Sequence, residues 1–138
     1  METFLKELAK KLEINLSEKQ IMDFISYKNL LQDWNHKINL TAIIEDKEII
    51  LKHFIDSMSV LKYLPNDSKI IDVGTGAGFP GIVIKVCDES INMTLLDSLS
   101  KRVTFLNEVI NSCHLSKICT VHGRAEDFGK IKEYREQY

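Results

Sequence analysis

The stretch KIIDVGTGAGFPG, Lys69 to Gly81, sets four glycines into the eight residues from Gly74 onward, directly after a short β-branched run. Glycine reaches backbone conformations closed to other residues and lets main chain come close to a ligand, so such a loop reads as a binding turn. The run before it, Lys69 to Val73, reads as a buried strand, and FPGIVIKVC after it as a short apolar helix opened by Pro80. The same alternation continues. NMTLLDS (Asn92 to Ser98) reads as a second strand, and Ser100 to Cys113 as a helix with Val103, Leu106, Val109 and Ile110 on its apolar stripe. KICTVHG is a third strand, and RAEDFGKIKEYREQY begins a last helical stretch. Strand alternating with helix implies an α/β chain with a doubly wound, parallel sheet.

Ahead of Pro65 the period is helical. Phe4, Leu5, Leu8 and Leu12 mark a short amphipathic helix that Thr3 is placed to cap, and SEKQ at Ser17 to Gln20 is a capping box. The helix after that box keeps Ile21, Phe24, Tyr27, Leu31 and Trp34 on one core-facing stripe. Following the polar break NHKINLT, a third helical region from about Asp46 to Leu64 presents Ile49, Ile50, Phe54, Met58 and Leu61. The expected organisation is an N-terminal helical region, 1–64, packed on a partial Rossmann-like cofactor-binding domain, 65–138.

With 138 residues, 44% apolar and 28% charged, the chain suits one soluble globular unit and not a disordered one. No run approaches the ~18 apolar residues of a membrane span, and METFLKELAKK scatters charge unlike a signal peptide, so a cytoplasmic protein is expected. Cys87, Cys113 and Cys119 form no CxxC pair and read as buried free thiols, without a disulfide framework. Cys113, His114, Cys119 and His122 lie close in sequence, but a metal site would need them to converge from a helix end and a strand; none is expected. Net charge is −2, with a local basic excess after Lys101 of seven Lys/Arg over five Asp/Glu. That excess either tracks a phosphate backbone or is solvated helix surface.

Gly76 to Gly81 formally match the dinucleotide fingerprint GxGxxG, with Asp97 downstream for a ribose. Three features oppose a dinucleotide. Counted from the strand end at Gly74, the third glycine position is Phe79; Pro80 lacks the amide that a pyrophosphate would use; and Asp72 adds a carboxylate where a diphosphate would approach. S-adenosylmethionine, with a sulfonium, an α-ammonium and no phosphate, suits the same residues. Gly74, Gly76 and Gly78 would let the backbone meet its methionine portion, and Asp97 would accept the ribose hydroxyls.

The pattern resembles motif I of the class I S-adenosylmethionine-dependent methyltransferases. DVGTGAGFPG, LLDS followed by KRVTFL, and GRAED, with the upstream WNHKINLT and HFIDS, more narrowly resemble the bacterial 16S ribosomal RNA guanine-N7 methyltransferase family, also called glucose-inhibited division protein B. The resemblance runs from about Trp34 to Asp127. It implies a cofactor site made of Asp72, Gly74, Thr75, Gly76, Gly78 and Phe79, with Asp97 and Ser98 at the ribose and Ala125 and Glu126 at the adenine. It implies as partner 16S ribosomal RNA or the small ribosomal subunit, and no membrane. Guanine N7 has a lone pair and no proton to lose, so no general base is required and no catalytic residue is named. His53 beside Asp56 reads as a structural hydrogen-bonding residue; Asn39 either caps a helix or touches the target base; Arg124 either meets RNA phosphate or caps the third strand.

After EYREQY the resemblance calls for a fourth strand, starting in a Tyr/Phe-Asp pair and ending in an Arg-Ala pair. Of a family sheet ordered 3-2-1-4-5-7-6, strands 3-2-1 only are expected, in a truncated chain. Its first strand becomes an open edge, and each buried backbone group left unpaired there would cost ~1–3 kcal/mol. Water is expected to reach that edge, or a second copy to pair along it. Cofactor binding without full activity is therefore expected, the rivals being an NAD-type nucleotide-binding oxidoreductase and a non-enzymatic cofactor-binding or interaction module.

Overall fold

The computed structural model describes residues 1–128. Two helices lead, α1 (Glu2–Lys11) and α2 (Glu18–Asn35). Helix α1 is capped by Met1 without a side-chain bond, so the capping expected of Thr3 is not made; Thr3 lies inside the helix, behind Glu2, whose carboxylate suits the positive first turn. Helix α2 opens on the expected capping box: the Gln20 amide donates to Ser17 Oγ at 3.1 Å, and the Ser17 amide to Gln20 Oε1 at 2.8 Å. Its stripe packs as anticipated through Ile21, Phe24, Tyr27 and Leu31, while Trp34 is half-buried and donates from its indole to Glu108 at 2.7 Å.

The third helical region is one rod in three parts, α3 (Asp46–Glu48), a π-helical stretch (Ile49–Ile55) and α4 (Asp56–Met58), followed by a 3-10 turn (Leu61–Tyr63). A π turn closes from i to i+5 and widens the helix. Ile49 and Phe54, five residues apart, are both fully buried, as are Ile50 and Met58. Spacing alone gave no sign of the widening, because the apolar positions fit an ordinary helix nearly as well.

Strand β1 (Lys69–Val73) then leads to α5 (Gly81–Cys87), β2 (Asn92–Asp97), α6 (Ser100–Ser112), β3 (Ile118–His122) and the short α7 (Ala125–Phe128). The sheet is parallel in the order β1-β2-β3, with Lys69 opposite Asn92 and Met93 opposite Ile118, which is the 3-2-1 half-sheet expected. Both crossovers step in the same direction, and right-handed crossovers of that kind put their helices on one face. There α5 and α6 meet β2, and α2 packs across both helices. The common core holds Leu5, Phe24, Tyr27, Phe54, Ile82, Leu95, Phe105 and Val109, all fully buried, each side chain of this kind contributing ~1.5–3 kcal/mol when removed from water.

Three expectations are corrected. On α6 it is Phe105 with Leu106 and Val109 that is buried, whereas Val103 and Ile110 are only half-buried; Phe105 sits 5.9 Å from the Trp34 ring and 6.4 Å from that of Tyr27. Strand β1 is not buried: among the described residues it pairs on one side only, its middle is half-exposed and Val73 is 53% exposed. Of the thiols, Cys113 is buried and Cys87 half-buried, both pushed up to about 12 by burial, but Cys119 is exposed because strand alternation turns it to the face without helices, beside Thr94. The last helical stretch begins as anticipated at Ala125, and its continuation beyond Phe128 lies outside the described residues.

Helix α5 meets the sheet at a glycine. A Cβ added to Gly81 would stand 2.4 Å from Leu95 Cδ2 and 2.8 Å from Asp72 Oδ2. Gly81→Ala is expected to lower unfolding free energy by ~1–3 kcal/mol, the cost of overpacking, with the slope against urea unchanged; equal midpoints for the two proteins would refute this packing.

Candidate functional site

The carboxyl ends of β1 and β2 meet at the glycine loop, and hydrogen bonds from three directions hold the loop. From the sheet, the Leu96 carbonyl accepts from the amides of Gly74 (2.8 Å) and Thr75 (3.1 Å). From the strand ends come two carboxylates. Asp72 Oδ2 accepts from Thr75 Oγ1 at 2.7 Å and from the Gly81 amide at 3.0 Å, closing the loop on itself. Asp97 Oδ2 accepts from the Gly76 amide at 2.8 Å, and Oδ1 from the Leu99 amide at 2.9 Å, with Arg102 Nη1 3.7 Å away. From the helical layer, the buried Tyr27 hydroxyl donates to the Ala77 carbonyl.

Gly74, Gly76 and Gly78 have φ of +66°, +60° and +97°, the left-handed region that β-carbon-bearing residues avoid. A Cβ on Gly78 would meet Tyr27 Oη at 2.6 Å, so packing demands that glycine; one on Gly74 or Gly76 would meet nothing within 4 Å, so open space lies beside those two. A ligand without phosphate can approach the backbone there. Burial raises the Asp72 carboxyl above its ordinary 3.8, opposed by its hydrogen bonds from Thr75 and Gly81. The ring of Phe79 lies stacked between Tyr27 (5.5 Å between centroids) and His53 (4.4 Å, 11° between planes).

Asp97 is 2% exposed, and both of its oxygens are already engaged. A carboxylate has about four acceptor sites, so each oxygen retains capacity for one more donor. Ser98 is exposed, and its carbonyl takes His122 Nε2 at 3.0 Å; Ala125 and Glu126 stand exposed at the start of α7, beyond Gly123, whose amide donates to the Asp97 carbonyl at 3.0 Å. All the residues expected around a cofactor thus lie along the carboxyl end of the sheet. Arg124 caps no strand: it is exposed and pairs with Glu126 (3.4 Å) and Asp127 (3.2 Å). Asn39 caps no helix either, since Glu45 caps α3; it is exposed and lines, with Ile38 and Leu99 to Arg102, a cleft of about 310 Å³ at the start of α6.

Residues that the sequence did not single out include Tyr27 as a loop support, Thr41 and Arg102. Thr41 Oγ1 lies 2.7 Å from His53 Nε2, so His53 keeps its expected structural role, though with a hydroxyl partner. Asx and threonine residues after a helix commonly bond nearby backbone, and here Asn35 Oδ1 accepts from the amides of Leu40 and Thr41. That signal was available in the spacing.

Helices on one face of a parallel sheet, with a glycine loop and two strand-end carboxylates at its carboxyl edge, define an α/β domain of the methyltransferase-like kind. The family described as GidB, rRNA small subunit methyltransferase G, matches residues 20–137. Proteins named ribosomal RNA small subunit methyltransferase G are similar throughout: that of Desulforamulus reducens is 58% identical over 97% of this chain, and that of Alkaliphilus oremlandii 51% over all of it. That of Clostridium botulinum strain Loch Maree is 54% identical over 91%. The chain belongs to this rRNA small subunit methyltransferase G family. It spans 57%, 59% and 53% of the length of those three curated relatives. The oxidoreductase alternative finds no support in the match.

Burial lowers the proton affinity of His53 below the ordinary 6.5, against a smaller opposite pull from Asp56. A histidine held neutral in this way stabilises the fold fully above 6.5, and that contribution is lost as pH falls through the depressed folded value. A proton NMR titration is expected to put the His53 midpoint below 6.5; a midpoint above it would show the imidazolium to be the favoured form.

Proposed function

We propose that this chain forms the methyl-donor half of an S-adenosylmethionine-dependent methyltransferase that acts on N7 of a guanine in 16S ribosomal RNA, in the naked RNA or the small subunit. The observation that carries the reading is the open backbone at Gly74 and Gly76, braced by Asp97 and flanked by Asp72. The names of the relatives supply the substrate class. In this reading Asp72, Gly74, Thr75, Gly76, Gly78 and Phe79 line the methionine portion, Asp97 and Ser98 meet the ribose, and Ala125 and Glu126 meet the adenine. Asn39 and Arg124 face the RNA. The same reading takes 1–64 as the helical layer and 65–138 as the partial cofactor domain.

When bound, the cofactor would supply an electrophilic methyl on a sulfonium for displacement by the N7 lone pair, with S-adenosylhomocysteine as the leaving group. No proton moves in that displacement, so orientation carries the rate, a contribution of ~7–11 kcal/mol in well-aligned reactions. The chain's own residues bind and orient: Asp97 fixes the loop while retaining acceptor sites, and the Phe79 stack sets the loop's far end. No described helix is long and apolar enough to cross a membrane, and a cytoplasmic location fits the substrate. Pairing of a second copy along the exposed β1 edge belongs to the same proposal, and a sharp monomer in sedimentation at high concentration would remove it.

Calorimetric titration with S-adenosylhomocysteine is expected to give micromolar binding that Asp97→Ala weakens by about tenfold or more, the scale of losing charge-assisted hydrogen bonds. NAD serves as the control. Heat from NAD alone, or equal affinity in Asp97→Ala, would sink the reading.

A further inference from the structure

We infer that His53 is a positioning residue that ties the loop carrying Asn39 to the glycine loop, through Thr41 on one side and Phe79 on the other. The functional sense of this tie rests on the methyl-donor reading, but the tie itself does not. On the first side, the chain after α2 is folded back by Asn35, whose Oδ1 holds the amides of Leu40 and Thr41 at 2.8 and 3.0 Å. Thr41 Oγ1 accepts from the Ile43 amide at 3.1 Å and lies 2.7 Å from His53 Nε2, so one hydroxyl joins that loop to the π-helical stretch. On the second side, the imidazole lies flat on Phe79, 4.4 Å between centroids and 11° between planes.

Phe79 is no free side chain. It follows Gly78, its amide donates to the Thr75 carbonyl at 3.3 Å, and its other stacking neighbour is Tyr27, which also holds Ala77. A shift of the imidazole therefore moves Phe79 against a loop whose remaining supports are fixed. Within the π-helical stretch, Phe54, next to His53, is wholly buried in the core, which fixes the rod's rotation, while His53 at its rim stays half-exposed beside the loop. Asn39 lies two residues before Thr41, in the cleft with Leu99 to Arg102. A group of the RNA that engages this loop then acts on the glycine loop by way of one side chain, and by reciprocity a filled glycine loop acts on the Asn39 loop.

Hydrogen exchange of the ligand-free chain tests the tie without any cofactor. Thr41→Val, which leaves Phe79 untouched, is expected to speed amide exchange across residues 74–82 by roughly fivefold, the scale of one ordinary hydrogen bond, while α1 and α2 keep wild-type exchange. Thr41→Ser, which restores the hydroxyl, is expected to return those amides to wild-type rates. In a His53→Phe background, which keeps a stacking ring without a nitrogen, Thr41→Val is expected to add nothing. Unchanged exchange at 74–82 in Thr41→Val, or effects of the two substitutions that multiply, would overturn the inference. Calorimetry on the same proteins separates the two readings: coupled exchange in a chain that binds no S-adenosylhomocysteine leaves the tie standing and removes the methyl-donor reading.

Discussion

Everything at the carboxyl edge of the sheet depends on how a glycine loop with left-handed backbone keeps its amides satisfied. A loop of this shape bonds to itself only at its far end, where the Gly78 and Phe79 amides reach the Thr75 carbonyl, and its other amides need acceptors from elsewhere because a buried amide without one is costly. Here the acceptors are imported: a carbonyl from β2, one carboxylate from the end of β1 and another from the end of β2. Asp97 joins the two crossovers of the fold, because the same carboxylate that takes the Gly76 amide takes the Leu99 amide just ahead of α6. The geometry of the loop and the position of α6 are thus set together.

Local chemistry was legible in the residues; choices between equivalent faces were not. The capping box at Ser17 to Gln20 could be read because its partners are three residues apart and need nothing else from the chain. The three strands followed from the change of period, and their order from the family resemblance. On α6, Val103, Leu106 and Ile110 make as good a stripe as Phe105, Leu106 and Val109, and only the aromatic rings of Tyr27 and Trp34 across the interface decide between them. Cys119 and Val73 were misjudged for a related reason. Their exposure depends on which side of the sheet the helices occupy and on which strand lies at the edge, and both are properties of the whole arrangement.

For the candidate site, where the residues of the loop motif and the strand ends lie was legible in sequence, since strand-loop-helix spacing fixes their place, while their roles belong to the proposal. The supports were not. Tyr27 lies fifty residues from the carbonyl it holds, and its hydroxyl looks in sequence like one more member of an apolar stripe. His53 was noticed for its neighbour Asp56, whose charge it does feel, yet the hydrogen-bonding partner it finds is Thr41, in a loop twelve residues earlier. The π-helical widening of the stretch that carries His53 has no signature in the spacing of Ile49, Ile50 and Phe54.

The placement of α2 has a consequence for how the chain acquires its structure. That helix emerges early in synthesis, yet its partners arrive late: Lys19 bonds the Cys113 carbonyl across ninety-four positions, the Cys113 thiol lies 3.5 Å from the Asp23 carbonyl across ninety, and Trp34 reaches Glu108 across seventy-four. Contacts this distant along the chain require closing large loops before they are repaid, which slows the search for the native state. Phe24 and Tyr27 on this amphipathic helix meet Phe54 sooner, but the part of its apolar face that packs on α6 must wait uncovered until α6 is made. The capping box, which needs no partner outside its own turn, favours the helical form of α2 through that interval.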